Sequence, residues 1–145
     1  MSRKETLYHA SLRIPVATAL AEEVMFRSAL HALFAREHSL QTTLTWTSLL
    51  FGLWHILPTL DTLEGNPAAN IVQDPGRARL TAALGITGTT AGAGLFFSYL
   101  RLRSRSLAAA VVTHAAINIV ALVIGRALLA WQPDGPMHGS EHHPS

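Results

Sequence analysis

The chain of 145 residues contains no cysteine, and only 14% of its residues are charged. Without cysteine, disulfide bonds and thiolate chemistry are excluded. Soluble domains typically contain roughly 25% charged residues. The shortage of charge, together with a mean hydropathy of +0.27, therefore indicates a membrane protein.

Charged residues are missing altogether from three long runs. Residues 38–60, 80–100 and 106–125 contain no Lys, Arg, Asp or Glu over 23, 21 and 20 positions. A membrane-spanning helix needs about 20 predominantly apolar residues. A fourth apolar stretch, at residues 15–34, is interrupted by charges. The predicted fold class is therefore all-α: a polytopic membrane helix bundle of about four transmembrane helices, multi-pass in the cell membrane. The amino terminus has no apolar run that ends in a small-residue cleavage site, so we expect no removable signal peptide.

The arginines lie near the ends of the apolar runs. This distribution is typical of anchors at the membrane interface, where basic side chains contact lipid. We therefore expect membrane lipid as a partner and no nucleic acid.

Apolar runs, prolines and polar turns together predict four helices, at residues 15–34, 40–57, 80–100 and 107–131. Gly, Pro and acidic residues predict a polar connection over residues 59–79.

Three regions follow from this organisation: a polar lead-in at residues 1–13, a core at 14–131 and a disordered tail at 132–145. Within the core, Gly88 and Gly92 are four residues apart on the third predicted helix. We expect these small residues to let two helix backbones approach closely.

The first predicted helix carries Glu22, Glu23 and Arg27 inside an apolar run. Each such charge costs about 2.5–3.5 kcal/mol at the centre of a membrane helix. Glu23 and Arg27 are four residues apart with the acid first, which places them on one face as an ion pair. Glu22 lies about 100° further round the helix, so we expect it to be free of that pair and available for chemistry.

Two other predicted spans carry polar residues: His55 on the second, and His114 and Asn118, four apart, on the fourth. Ionisable residues within a membrane usually face the bundle interior or a wet cavity. We therefore predict that these residues face Glu22 in the interior of the bundle. A carboxylate, two imidazoles and an amide can activate water and stabilise an oxyanion, or hold a metal that does both.

Three motifs carry a resemblance to a known family. EEVMFR at residues 22–27 resembles the EExxxR motif of the CPBP (Abi) family, which comprises intramembrane CAAX proteases and bacteriocin-processing enzymes. FGLWH at 51–55 resembles the FxxxH motif of that family, and HAAIN at 114–118 resembles its HxxxN motif. The resemblance covers roughly residues 14–125, and the order of the motifs matches that of the family.

The resemblance implies an intramembrane metalloendopeptidase that cleaves a membrane-associated protein or peptide, in CAAX-type or bacteriocin-type processing. It implies that Glu22 is the general base that activates water and that His55 orients this water or binds metal. It also implies that His114 and Asn118 stabilise the oxyanion or complete the site.

The resemblance assigns supporting roles to the ion pair of Glu23 and Arg27, and Phe51 is expected to support the site by packing. A divalent metal, zinc, is a candidate cofactor with His55 and His114 as its ligands. The chain lacks the HExxH motif, so standard zincin ligation does not apply.

Members of the family usually have further transmembrane helices before the EExxxR helix, whereas about fourteen residues precede the first predicted helix here. We therefore expect a minimal member of the family, a truncated gene product, or a chain that needs a partner subunit or an oligomer. The alternatives are a non-catalytic membrane scaffold or a bacteriocin self-immunity protein that retains the polar cluster, and a soluble helical metal-binding domain.

Overall fold

The computed structural model describes residues 2–58 and 74–131, which contain helices and no strand. The predicted tail at 132–145 and residues 59–73 of the predicted polar connection lie outside the described residues. The principal helices are α1 (residues 3–34), α2 (Leu40–Trp54), α3 (Pro75–Ser104) and α4 (Leu107–Ala130).

Helix α1 begins twelve residues before the predicted start at Pro15, so that prediction is wrong. Ser2 and Glu5 form a capping box, in which the Ser2 Oγ accepts from the Glu5 N–H at 3.2 Å and Glu5 Oε2 accepts from the Ser2 nitrogen at 2.6 Å. Reciprocal capping of this kind satisfies backbone donors that otherwise lack partners at a helix start.

Helix α1 alternates between α and π hydrogen bonding. Pro15 lies in the first π-helical segment, where altered backbone hydrogen bonding accommodates the missing proline N–H. The five successive segments, of which the second and fourth are π-helical, are Arg3–Tyr8, His9–Leu20, Ala21–Glu23, Val24–Leu30 and His31–Phe34.

Helix α2 begins after Ser39, whose hydroxyl accepts a hydrogen bond from the Thr42 N–H. It ends at Trp54; after a turn at His55, residues 56–58 are helical again, so helical structure reaches the predicted end at Leu57 with one break. His55 forms its C-cap, because the His55 N–H turns back to the carbonyl of Gly52 at 3.2 Å.

Helices α3 and α4 follow each other across a tight turn. Helix α3 starts five residues before its predicted start, because the Asp74 side chain caps it and Pro75 occupies the first turn. It continues to Ser104, beyond the predicted end at residue 100. Arg105 then adopts a left-handed conformation (φ 55°, ψ 25°), and Ser106 caps α4. Helix α4 matches its predicted bounds to within one residue.

Two helical stretches are long and apolar enough to cross a membrane: Arg79–Ser104, with a mean hydropathy of 1.4, and Leu107–Leu128, with 2.3. Helix α2 has 15 residues, fewer than the roughly 20 that a span needs. Charged residues interrupt α1. The structure thus contains a helix at each of the four predicted positions. Two of these helices have the length and composition of a membrane span.

The interior contains polar as well as apolar residues, whereas much of the exterior is apolar. Large apolar side chains are widely exposed, for example Leu84 and Val112 at 66% each. An apolar exterior suits lipid, and a polar interior can hold a site. The buried polar residues are Glu23, Arg27, Thr43, Thr47, Ser48, Ser98 and His114.

The closest helix contact lies at Gly52, not at the predicted glycines. A Cβ built on Gly52 would lie 2.5 Å from the Thr87 carbonyl oxygen, so only glycine lets α2 approach α3 there. A Cβ on Gly88 or Gly92 meets no described atom within 4 Å. The prediction that Gly88 and Gly92 bring helices together is therefore wrong for the part of the chain described, because this face of α3 points outward.

Candidate active site

Glu23 lies at the centre of a closed ionic group. Its Oε1 atom is 2.9 Å from Nδ1 of His114 and 3.3 Å from a terminal nitrogen of Arg27. Because a carboxylate only accepts, His114 donates its Nδ1–H. Glu23 is completely buried and Arg27 is 2% exposed. The predicted ion pair between Glu23 and Arg27 is present, and His114 joins it from α4.

Aromatic rings enclose the Arg27 guanidinium. Its central carbon is 4.0 Å from the ring centroid of Phe51, 5.3 Å from that of Phe97 and 5.9 Å from that of Phe26. Cations near aromatic faces gain electrostatic stabilisation, which increases when the pair is desolvated. No terminal nitrogen of Arg27 makes a hydrogen bond to a described residue, so charge and aromatic faces hold this group. Gly94 leaves the space, since a Cβ there would lie 3.2 Å from an Arg27 nitrogen.

Glu22 faces two imidazoles, about 100° further round α1 than Glu23. Its Oε2 atom is 3.6 Å from Nε2 of His55 and 3.8 Å from Nε2 of His114. Glu22 and His55 are part-exposed, at 15% and 24% of their side-chain surface. The structure thus brings together three of the predicted catalytic residues, each from a different helix or helix end.

Hydrogen bonds on the far side of each imidazole orient these rings. His55 Nδ1 lies 2.7 Å from the carbonyl oxygen of Phe51, and a carbonyl can only accept. In their neutral forms, both His55 and His114 therefore carry the proton on Nδ1 and direct an Nε2 lone pair toward Glu22. Three acceptor atoms surround the same small region, and Glu22 Oε2 has no hydrogen-bond partner within the described ranges.

Two phenylalanines form the wall of this region. The Phe51 ring centroid is 4.5 Å from that of His55 and 5.8 Å from that of His114. Phe97 stacks on His114 at 4.9 Å with an interplanar angle of 16°. Phe51 thus packs against the site as expected. Phe97 was missed, because the sequence gives no signal that separates it from the adjacent Phe96, which is 47% exposed.

Asn118 lies one turn beyond His114 on α4 and is half-buried. Its side chain forms no hydrogen bond to any residue that the structure describes. The amide is therefore available to an external group, but the structure does not join it to Glu22 or His55.

No group of three or more His, Asp or Glu side chains within residues 2–58 and 74–131 is arranged to hold a metal ion. The two imidazoles approach Glu22 at the distances given above, which are longer than hydrogen bonds. The metal-binding roles of His55 and His114 stay predictions.

The described residues thus combine two helices that could cross a membrane with a cluster of carboxylates and imidazoles from three helices. A family model described as type II CAAX prenyl endopeptidase, Rce1-like, matches residues 5–120. The chain therefore belongs to the Rce1-like family, a family of membrane-associated proteases, which confirms the resemblance to CAAX proteases. The match includes all three motifs. Among curated proteins and among solved structures, no match is found.

Proposed function

We propose that the chain is an intramembrane endopeptidase that hydrolyses a peptide bond of a membrane-associated protein or peptide, in CAAX-type or bacteriocin-type processing. One observation carries this proposal. Glu22 Oε2 is buried without a hydrogen-bond partner among the described residues and lies 3.6 and 3.8 Å from two imidazole nitrogens. A buried acceptor without a donor is costly, and a water molecule can donate to two acceptors at once.

Glu22 acts as the general base. A water that donates to Glu22 Oε2 and to Nε2 of His55 directs an oxygen lone pair away from both groups, toward the substrate. As the water oxygen bonds to the scissile carbonyl carbon, its proton passes to Glu22 and the carbonyl oxygen becomes an oxyanion. When the carbon–nitrogen bond breaks, Glu22 returns this proton to the leaving amine. Proton transfer of this kind typically contributes about 10²–10⁴-fold to the rate.

His114 and Asn118 stabilise the oxyanion in different ways. The Asn118 amide is a neutral donor. His114 already donates Nδ1–H to Glu23, so Nε2 can donate only in the imidazolium form, whose second proton is taken from solvent before the attack and kept through the cycle. Glu23 stabilises the imidazolium formed in this way, as a buried carboxylate does behind a catalytic histidine. Glu23 and Arg27 thus position His114 without touching the substrate.

All four helices lie in the cell membrane in this proposal, with lipid around the bundle and the site below the membrane surface. Helices α1 and α2, which do not have the composition or length of a span, still carry exposed apolar side chains that suit lipid. At least half of the surface is exposed in each of Leu12 and Val16 on α1 and Trp46 and Leu53 on α2. Oligomerisation or a partner subunit would cover part of this surface.

A divalent metal such as zinc would be held by Nε2 of His55 and His114, and it would act as a Lewis acid on the substrate carbonyl. The chemistry of these two nitrogens suits zinc. The described residues supply no third ligand in a metal-binding arrangement, so the steps above use only groups of the chain itself.

The test is Glu22→Gln, which keeps the shape of the side chain but cannot accept a proton from water. We expect cleavage to fall by about 10²–10⁴-fold, with the amount of folded membrane protein unchanged. Cells with either form are compared by proteomics for new amino and carboxyl termini, and a prenylated CAAX peptide serves as the purified substrate. Glu37→Gln, an exposed acid just after α1, is the matched control.

Cleavage by Glu22→Gln at the wild-type rate would show that this mechanism is wrong. If the variant keeps the cellular phenotype and no termini differ between the two forms, the scaffold or self-immunity function replaces the peptidase.

A further inference from the structure

A polar cavity lies away from the Glu22 site. It has a volume of about 380 Å³ and lies between the last part of α1, the end of α3 and the start of α4. None of its lining residues belongs to the candidate active site, and none is acidic. Its polar lining residues are Ser28, His31, Arg101, Arg105 and Ser106.

The charges at this cavity are positive and not neutralised within the described residues. Arg101 is half-buried and Arg105 is exposed, and across residues 2–58 and 74–131 neither guanidinium forms an ion pair. Guanidinium groups bind phosphate through paired N–H donors. The cavity therefore has the chemistry of an anion site.

Backbone features of the turn strengthen this character. The cavity includes Ser106 and Leu107, where the 24-residue helix α4 begins, and the N-terminus of a long helix carries partial positive charge. Arg105 is the one described non-glycine residue with positive φ. Paired hydrogen bonds between Ser104 and Ser106 bracket it, at 3.0 and 3.2 Å. A left-handed residue commonly ends a helix, and here it forms the C-cap of α3 at the edge of the cavity.

The position of the cavity indicates which anion it meets. It lies where the span Arg79–Ser104 ends and the span Leu107–Leu128 begins, the level at which lipid headgroups contact a membrane protein. Leu102 lines the cavity and is 42% exposed. Tyr99 and Leu95, exposed at 59% and 48%, precede it on the same face of α3. An exposed apolar ridge thus runs from the cavity into the span.

We propose that this cavity binds the phosphate headgroup of an anionic phospholipid, with an acyl chain along the ridge of Leu95, Tyr99 and Leu102. Arg101 and Arg105 contact the phosphate. The Ser106 hydroxyl, which accepts the Ala108 N–H at 3.2 Å, donates its O–H to the phosphate. The volume lies within the range of about 300–1,000 Å³ that small-molecule sites occupy. Basic pockets between membrane helices bind lipid headgroups by the same chemistry. This site does not depend on the peptidase function.

The experiment measures lipid binding to the full chain in an uncharged detergent by native mass spectrometry. Phosphatidylglycerol and phosphatidylcholine with the same acyl chains are titrated against wild type, Arg101→Gln and Arg105→Gly. Glycine fits the left-handed backbone at 105, so loss of binding in that variant cannot come from backbone strain. Arg103→Gln is the matched control, because Arg103 is exposed on the same turn but does not line the cavity.

We expect wild type and Arg103→Gln to prefer phosphatidylglycerol equally, and each cavity variant to lose about fivefold in that preference. Equal weakening in all three variants would indicate diffuse surface charge and overturn the site, as would equal binding of both lipids. Displacement of the lipid by inorganic phosphate at equal concentration would identify a free-phosphate site. Displacement by a peptide acid but not by its amide would identify a substrate carboxylate site. Either of these outcomes overturns the lipid proposal.

Discussion

The two neighbouring glutamates of α1 define two halves of the candidate site that differ in almost every physical respect. The Glu23 half is closed: this carboxylate is fully buried and contacts both a guanidinium and an imidazole. The Glu22 half is part-exposed and faces two imidazole lone pairs without any donor among the described residues. A rotation of about 100° between adjacent helical residues thus separates a carboxylate within a buried ionic group from the carboxylate that we propose as the general base.

His114 belongs to both halves. Its Nδ1 contacts Glu23 at 2.9 Å, and its Nε2 lies 3.8 Å from Glu22. Glu23 therefore holds the proton of the neutral His114 ring on Nδ1, and this leaves Nε2 of the same ring facing Glu22. Experiments that perturb one half at a time test whether this division is real.

The largest effect is expected from removal of the cation of the closed half. Arg27→Met leaves Glu23 as a buried charge without its guanidinium, which we expect to destabilise the fold by about 3–5 kcal/mol. Unfolding in detergent, followed by circular dichroism, measures this loss. Glu22→Gln is the control from the open half and should unfold close to wild type.

The double variant Arg27→Met with Glu23→Gln removes both charges. It should recover much of the lost stability, because the desolvation penalty disappears with the pair. If Arg27→Met alone is as stable as wild type, the closed half is not held by this ion pair.

A smaller effect, on the rate, is expected from Glu23→Gln, which keeps the shape of the side chain. This variant also leaves the buried Arg27 cation without its carboxylate, so its stability should fall as well. In Glu23→Gln, an amide can offer a donor to Nδ1 of His114 and so favour the opposite tautomer. We expect about 100-fold slower cleavage, with little change in KM for the CAAX peptide. The measurement is kcat and KM on that peptide, with thermal unfolding beside it. A change confined to KM would contradict the positioning role of Glu23.

The smallest of the three effects concerns the support of the open half. Gly52→Ala places a methyl group 2.5 Å from the Thr87 carbonyl, and overpacking of this kind costs about 1–3 kcal/mol. Because Gly52 also accepts the N–H of His55, activity should fall along with stability.

Gly88→Ala is the matched control for Gly52→Ala. It meets no described atom and should stabilise α3 by about 0.5–1 kcal/mol. A loss of stability in Gly88→Ala as large as in Gly52→Ala would show that the outward face of α3 is in fact packed.

Local rules predicted those parts of the site that depend on spacing along one helix. The contact between Glu23 and Arg27 follows from a separation of four residues, and the separation of Glu22 from that pair follows from the helical angle. The start of α1 was also readable, because Ser2 and Glu5 have the spacing of a capping box. The preference of proline for the first turn of a helix favoured a start at Pro15 over this capping box.

Features that depend on how helices rotate against each other could not be predicted. Whether Gly52 or Gly88 faces a neighbouring helix depends on tertiary packing, and so does the choice between Phe96 and Phe97. The bond between Glu23 and His114 joins residues 91 positions apart, and no local pattern identifies which imidazole nitrogen each carboxylate meets.

The shortness of α2 has a consequence for the bilayer itself. At 1.5 Å per residue, its 15 residues extend about 22 Å, whereas the hydrocarbon layer is about 30 Å thick. With α2 in the membrane, as proposed, thinning of the adjacent lipid relieves this mismatch. His55 caps the end of α2, so a thinner lipid layer would bring bulk solvent close to the imidazole. Hydrolysis within the membrane would then need only a short path for water.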